Sequence, residues 1–489
     1  MCSILAIASR WQRAVPVVLL ALSLLSALAR PVGAKNHRRS NGLTEQAPSP
    51  RPIDYDQLTS EAADLLSQAI RINTSNPPGD ELPVAKLFKE RFLADGLPAT
   101  VWEPHPGRGI VAARLLGTGR HRQALVLLSH LDVAPANPKE WSVAPFSGQV
   151  KDGAIWGRGA LDGKGPAVIA LMAMLAIKRA GVLLDRDIIF IGTGDAETGG
   201  RNGAGWMVEH EADVFADAGY LLNEGGNISV LANGRRYYGV SITEKTPLWL
   251  RLTAQGAAAR STVPPAETAV THLVAALSRV IAYRPQIRII DPVRDYFKAL
   301  GQLEEGPRQL LDLPLALRDD PAFVRQFVAE ARNNAMVRDT FTPTVLEGSS
   351  RTNLIPTTVT AEIDGRLLPG DDPQAVVANL RKVIADDSIK IDVLLNFPAT
   401  SSPRQSQLMS AITRLAKTDD ARAVPQMSTE FTDSHYFRQK GLIAYGFIPL
   451  ELTAAEEKAI GGANEHLPTR ELGAAVKRMV ELLEAMGGR

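Results

Sequence analysis

Leu125-Val126-Leu127-Leu128-Ser129-His130-Leu131-Asp132 is a short apolar run that ends on a histidine and an aspartate. Such a run reads as a strand buried on both faces. Ala167 to Ala180 follows, rich in alanine and methionine and long enough for a helix, and then Ile188-Ile189-Phe190-Ile191, a second buried strand. Strand, helix and strand in that order predict an α/β fold, a mainly parallel sheet covered by helices, with ligands bound beyond the carboxyl ends of the strands. Three groups fall at those ends: His130 with Asp132; Asp162 in Gly159-Ala160-Leu161-Asp162-Gly163-Lys164-Gly165; and Glu197 in Gly194-Asp195-Ala196-Glu197-Thr198-Gly199-Gly200. An imidazole among carboxylates is a metal donor set, and a neighbouring carboxylate can fix the imidazole tautomer. Each piece alone also has a plain structural reading. A glycine-rich turn is first a turn, and His130 and Asp162 could simply hydrogen-bond strand ends together.

In order and spacing these segments resemble the zinc metallopeptidases and amidohydrolases that include aminoacylase, acetylornithine deacetylase, succinyl-diaminopimelate desuccinylase and glutamate carboxypeptidase. The resemblance runs from about Tyr55 to the C-terminus. It implies that His130 binds one metal, that Asp132 orients His130, and that Asp162 bridges two metals. It also implies that an Asp-Glu-Glu segment supplies a general base and then a ligand. Here that segment reads Asp195-Ala196-Glu197, so Glu197 is the implied ligand and the base position holds Ala196. A further ligand is implied in Leu221-Leu222-Asn223-Glu224-Gly225-Gly226, where many relatives have Asp-Glu-Gly and Asn223 takes the Asp position. An amide oxygen is a weaker, neutral donor there.

Two other positions depart from the family pattern. In Gly256-Ala257-Ala258-Ala259-Arg260-Ser261-Thr262-Val263-Pro264, Arg260 stands where the resemblance implies a histidine that reaches the substrate carbonyl. In Gly461-Gly462-Ala463-Asn464-Glu465, Gly461 stands where it implies the last metal-binding histidine. A methyl at position 196 cannot take a proton from water or pass one to a leaving amine, a role that contributes typically about 10²- to 10⁴-fold. A glycine at 461 weakens the second of two metal sites. Arg260 is a fixed cation and donor, and it cannot act as acid or base. His435 and His466 stand near matching segments as replacement-ligand candidates. The resemblance also implies lid donors for a substrate carboxylate and carbonyl, here Asn353 and Arg366. For Arg366 a salt bridge to Asp364, two residues back, is the competing reading.

The cofactor implied is zinc, one or two ions, with manganese or cobalt admitted by an oxygen-rich donor set. Two functions stay open. One is a hydrolase that acts on amide bonds of N-acyl amino acids or small peptides with a degraded active site. The other is a catalytically inactive relative that binds a peptide-like ligand or a partner protein. An enzyme of another reaction class that reuses the pocket is a third.

The chain has 489 residues and a formal charge of +1, enough for two domains and without the basic stripe that nucleic acid requires. Arg10 and Arg13 precede an uncharged apolar run from Ala14 to Ala29, with small residues before Ala34, which reads as an export signal over 1–34. The expected location is periplasmic or secreted, with no stable span once the signal is cleaved; an uncleaved membrane anchor is the alternative. The single cysteine, Cys2, lies inside that segment, so the mature chain has no disulfide. Residues 35–54 are polar and proline-bearing, a flexible spacer. The catalytic domain is expected over 55–246 and 398–489. An inserted α+β sandwich, the lid or dimerisation domain, is expected over 247–397. Its signs are alternating strands at Leu248–Ala254 and Thr358–Asp364 and helices from about Ala266 to Tyr283 and Pro373 to Ala385. The proline- and charge-rich stretch between Ile287 and Glu347 has no function legible in its residues.

Overall fold

The computed structural model describes residues 50–303 and 306–488. The expected signal segment and most of the spacer lie outside them. Among the described residues no helix is long and apolar enough to cross a membrane.

The strand Ala124–His130 is buried throughout, and its side chains alternate between two cores. Leu125 and Leu127 join one cluster with Phe88, Phe92 and Phe190, while Ala124, Val126 and Leu128 join another with Ile110, Ile191 and Phe215. That is the period of two that a strand imposes, here apolar on both faces because both are covered. Ala124–His130 runs parallel to Ile188–Thr193 on one side and to Ala218–Asn223 on the other. Ile443–Gly446 extends the parallel set beside Ala218–Asn223. On the other flank the antiparallel strand Arg108–Leu115 lies beside Ile188–Thr193, and Ala99–His105 forms the edge beyond it. The full sheet has ten strands. The helix Lys164–Ala180, which packs beneath it with Tyr55–Arg71 and Thr469–Met486, is buried at nearly every position and stops at Gly181 in the left-handed conformation.

Between Thr246 and Asn396 a separate four-stranded antiparallel sheet is ordered Thr340–Glu347, Thr358–Leu367, Thr246–Gln255, Lys390–Asn396. The helices Ala269–Ala282 and Pro373–Ile384 cover one face and share its core. Thr268 starts the first with a reciprocal capping box and Asp372 caps the second. The stretch without a legible function forms four helices between Asp291 and Val337. Their aromatic core, Tyr296, Phe297, Phe323 and Phe327, is shared with Tyr237, Val424 and Met427 of the large sheet's strands rather than with the core of the small one. Proline and charge at its surface hid a packed unit.

Phe190 is fully buried, with its ring 5.3 Å from that of Phe92 and 6.2 Å from that of Phe88. Phe190→Ala is expected to cost about 3–5 kcal/mol, measured as a lower midpoint in guanidinium unfolding of the 50–489 chain.

Candidate metal centre

Three adjacent parallel strands end side by side, at His130, Thr193 and Asn223, so the loops that follow them meet over one patch. His130 Nε2 lies 3.0 Å from Asp162 Oδ1 and 3.1 Å from Glu224 Oε2. The three donor atoms lie within 4.8 Å of one another, a group that could hold a metal ion. His130 Nδ1 is bonded to the main-chain carbonyl of Asp132 at 2.9 Å, with the Asp132 carboxylate farther off at 3.5 Å. One ring nitrogen is thus fixed by backbone, and the other is left to face carboxylates.

The site sits in a crowd of negative charge. Burial alone would lower the pKa of His130, but the charge of Glu224 and the bonds to Asp132 and Asp162 raise it well above the usual imidazole value. Burial and then Asp162 push Glu197 up to about 8. Burial likewise raises Glu224, with His130 pulling the other way. Asp433, buried and bonded to Thr193 Oγ1 at 2.9 Å, is pushed up to about 8 by burial and by Asp132. Carboxylates gathered at such cost are the donor set of a divalent cation, whose charge relieves their repulsion. The residues present fit one.

Sequence reasoning placed Asn223 among the ligands. In the structure Glu224 takes that place, and the Asn223 amide donates instead to Ser434 Oγ at 3.1 Å in the interior. The reason is strand parity: consecutive side chains at a strand end point to opposite faces. The signal was present in a carboxylate that directly follows the buried run Tyr220-Leu221-Leu222-Asn223. Glu197 lies near enough to Asp162 to feel its charge, outside the closest group of three. Ala196 is half-buried, and its N–H donates to Asp132 Oδ1 at 3.2 Å. Gly461 has φ +65, and a Cβ built on it would lie 3.8 Å from Asp162 Oδ2, so a side chain there would enter the site. Neither replacement candidate takes part: His435 stacks on Phe397 with ring centres 3.6 Å apart, and His466 stacks on Trp156 at 4.2 Å.

Arg260 and Asn353 come together on an exposed two-stranded ribbon of the inserted domain, where Ser261 N–H donates to the Asn353 carbonyl at 3.4 Å. Among the described residues neither side chain bonds the His130 group. Arg366 forms a two-bonded pair with Asp364 at 2.7 and 3.0 Å, and its guanidinium lies over the Phe431 ring. Its fork is already used.

Asn76, Arg108 and Glu465, which sequence reasoning gave no role, build the frame with Asp132. The Asp132 carboxylate is wholly buried and accepts from Asn76 Nδ2 at 2.9 Å, Ala196 N–H at 3.2 Å and Glu197 N–H at 3.0 Å. Asp195, in the left-handed region, accepts from Arg108 Nη2, Thr198 Oγ1 and Asn202 N–H. Glu465 is also wholly buried and accepts from the N–H groups of Gly159, Leu161 and Asp162 and from Arg158 at 2.9 Å. It clamps the glycine-rich turn that carries Asp162. Gly163 follows with φ +94, where a Cβ would lie 2.8 Å from the His130 ring. Only glycine allows that approach.

Glu81 is fully buried 3.2 Å from Arg108 Nη1, yet neither of its oxygens completes a hydrogen bond. Burial and then Asp132 raise its pKa from 4.5 to about 7, against the pull of Arg108. A raised carboxyl contributes stability that is complete below its unfolded pKa and is lost as pH climbs through its folded one. Stability is therefore expected to fall between about pH 4.5 and 7, with Glu81 contributing up to about 1.4 kcal/mol per pH unit. Denaturant unfolding across that window checks it, and Glu81→Gln should flatten the slope. Separately, Glu465→Gln weakens the partner of a buried arginine and should cost about 3 kcal/mol or more in the same unfolding measurement.

Comparison with known proteins agrees with this geometry. The model of "Peptidase family M20/M25/M40" matches residues 126–485. The chain is 28% identical over 490 residues to the N-fatty-acyl-amino acid synthase/hydrolase PM20D1 of Xenopus tropicalis, covering 96% of this chain and 93% of that protein. It is 26% identical to aminoacylase-1 of Pongo abelii, over 80% of this chain and 87% of that one. In fold it is similar to the M20 family metallo-carboxypeptidase of Sulfolobus solfataricus, with a TM-score of 0.68, 18% identity and coverage of 88% of this chain and all of that one. With its parallel-sheet domain, its inserted sandwich and the acidic cluster at its strand ends, the chain belongs to the M20/M25/M40 peptidase family.

Proposed function

We propose that the protein is an exported amidohydrolase that cleaves amide bonds of N-acyl amino acids or small peptides at a centre with one strong cation site. The observation that carries this reading is the convergence of His130 Nε2, Asp162 and Glu224 within 4.8 Å at the strand ends. A divalent cation held there supplies Lewis acidity toward a substrate carbonyl; zinc is the family expectation, and the oxygen-rich set admits manganese or cobalt. His130 is oriented by the Asp132 carbonyl, Asp162 is positioned by Glu465 through its turn, and Glu197 stands by to contribute a second carboxylate. Arg260 and Asn353 on the lid ribbon are the donors assigned to the substrate carbonyl. Arg366, paired with Asp364, borders the cleft over Phe431. Homodimerisation through the inserted domain goes with this reading: Val270, Val274 and Ile281 leave an apolar face of its first helix uncovered.

No side chain at position 196 can move a proton, so turnover should be slow. The same methyl, together with Gly461, favours a second reading in which the site binds a peptide-like ligand and does not turn it over. The two part in one experiment. The chain from Lys35, purified without added metal or chelator, is assayed for metal by elemental mass spectrometry and for hydrolysis of a panel of N-acyl amino acids and dipeptides, beside Ala196→Glu. One metal per chain and a rate that Ala196→Glu raises about 10²- to 10⁴-fold support the hydrolase. Bound metal with no hydrolysis by either form supports the binding protein. No metal at all overturns the hydrolase reading and leaves a family fold kept for binding. A further substitution, Gly461→His, should raise metal content toward two per chain, which the same assay reads.

A further inference from the structure

Away from the strand ends, a cleft of about 560 Å³ opens between the C-terminal residues Ala485–Gly488 and the first turns of the helix Gln407–Thr418. Arg186, Arg414 and His121 line it together with Ser406, Gln407 and Ser410; among the described residues no carboxylate lines it, though that of Asp185 lies against Gly488. Arg186 is the unusual member. It is one of the largest side chains in the protein to be fully enclosed, at 2% exposure. Its Nε donates to the Met486 carbonyl at 2.8 Å, Nη1 to the Gln123 carbonyl at 3.0 Å and Nη2 to Gln407 Oε1 at 2.8 Å. Every one of those acceptors is neutral. Of the five N–H donors of a guanidinium these bonds use three, which leaves two.

A buried charge without a counter-charge is expensive, and proteins ordinarily pair it. Among the described residues Arg186 has no salt bridge. Burial lowers the pKa of Arg186 and the charge of its sequence neighbour Asp185 opposes this without contact, since Asp185 accepts from Thr118 Oγ1 at 3.1 Å and lies 3.6 Å from Arg120. The ring of Tyr220, 5.2 Å away, offers a π face and no formal charge. Arg414 adds a second guanidinium, held by one bond from Nη2 to the Ala485 carbonyl at 2.7 Å. Two guanidinium cations, an imidazole and hydroxyl donors around a cleft whose described lining residues include no carboxylate make an electrostatic well for an anion.

We infer that this cleft is a binding site for the oxyanion of a small solute, a phosphate or a carboxylate, with Arg186 and Arg414 as its charged partners. The site is separate from the His130 group, and the inference does not depend on the hydrolase reading. The anion completes a charge pair that the fold leaves open, so it stabilises the folded chain by linkage.

The test uses the purified chain from Lys35, titrated separately with inorganic phosphate and with acetate, in calorimetry and thermal unfolding, with chloride at matched ionic strength as the baseline. The expected result is a saturable rise in Tm with one of the two anions; phosphate assigns a phosphate-bearing ligand and acetate a carboxylate-bearing one. Arg414→Gln should weaken that response about tenfold, equivalent to about 1.4 kcal/mol. Gln407→Glu should abolish it, because a carboxylate then stands against Arg186 as an internal counter-charge. Hydrolysis and metal content should be unchanged in both variants, neither of which touches the strand ends. Absence of a saturable response to both anions, or a Gln407→Glu protein that binds them as the parent does, overturns the site.

Discussion

A single carboxylate without contact with water, that of Asp132, ties together the loops that make up the metal centre. It accepts from Asn76 in the loop after the first helix, and from the N–H groups of Ala196 and Glu197 in the loop after the next parallel strand. Asp132 itself is two residues past His130, whose ring its main chain orients. A buried carboxylate is tolerated only when its lone pairs are filled, and here the filling groups are loop backbones. Loops of an α/β sheet are otherwise the least constrained part of the fold. Around Asp132 they have little freedom, because release of any one of them would uncover part of an ion that cannot reach water.

Glu465 does the same service on the far side of the site. It lies 306 residues from Gly159, yet it takes three N–H groups of the glycine-rich turn and the charge of Arg158. The turn thereby presents Asp162 to His130 while Gly163 lets the backbone pass against the imidazole. Two buried carboxyl groups thus hold the loops that carry the central acids. Burial first, and then the charge of Asp162 on Glu197 and of Asp132 on Asp433, explain why these two carboxyls hold their protons so far above the usual carboxylate range.

Much of this could be read from the chain, for physical reasons. The strands at Leu125–Leu128 and Ile188–Ile191 and the helix from Ala167 declared themselves by unbroken apolar runs, since both faces of the sheet are covered. His130 and Asp162 declared themselves as polar groups at the ends of such runs. Glu224 was passed over in favour of Asn223, because a one-residue choice at a strand end is decided by which face the side chain meets and not by residue type. Glu465, Arg108 and Glu81 were invisible as partners because each acts across long sequence separations, where no periodicity operates. The Arg366 pairing with Asp364 was legible because it is local, two residues apart on one strand. The helices between Asp291 and Val337 were missed because their buried aromatics are spread thinly among surface charge and proline.

The distinction between framing and central residues bears on what the site is for. Asp132 and Glu465 have structural duties that would keep them in any protein of this fold, active or not, since their loss leaves loops or a buried arginine unpaired. Their presence therefore says little about chemistry. Ala196 and Gly461 are the reverse: a longer side chain at either place would hold nothing up, so its absence costs the fold nothing. The informative residues are His130, Asp162 and Glu224. Burial raises the Glu224 carboxyl above its usual range beside a second carboxylate, and a fold that needed only hydrogen bonds at those strand ends could use neutral groups. A cost that the fold does not require is best accounted for by a ligand that removes it, and the ligand that removes it here is positively charged.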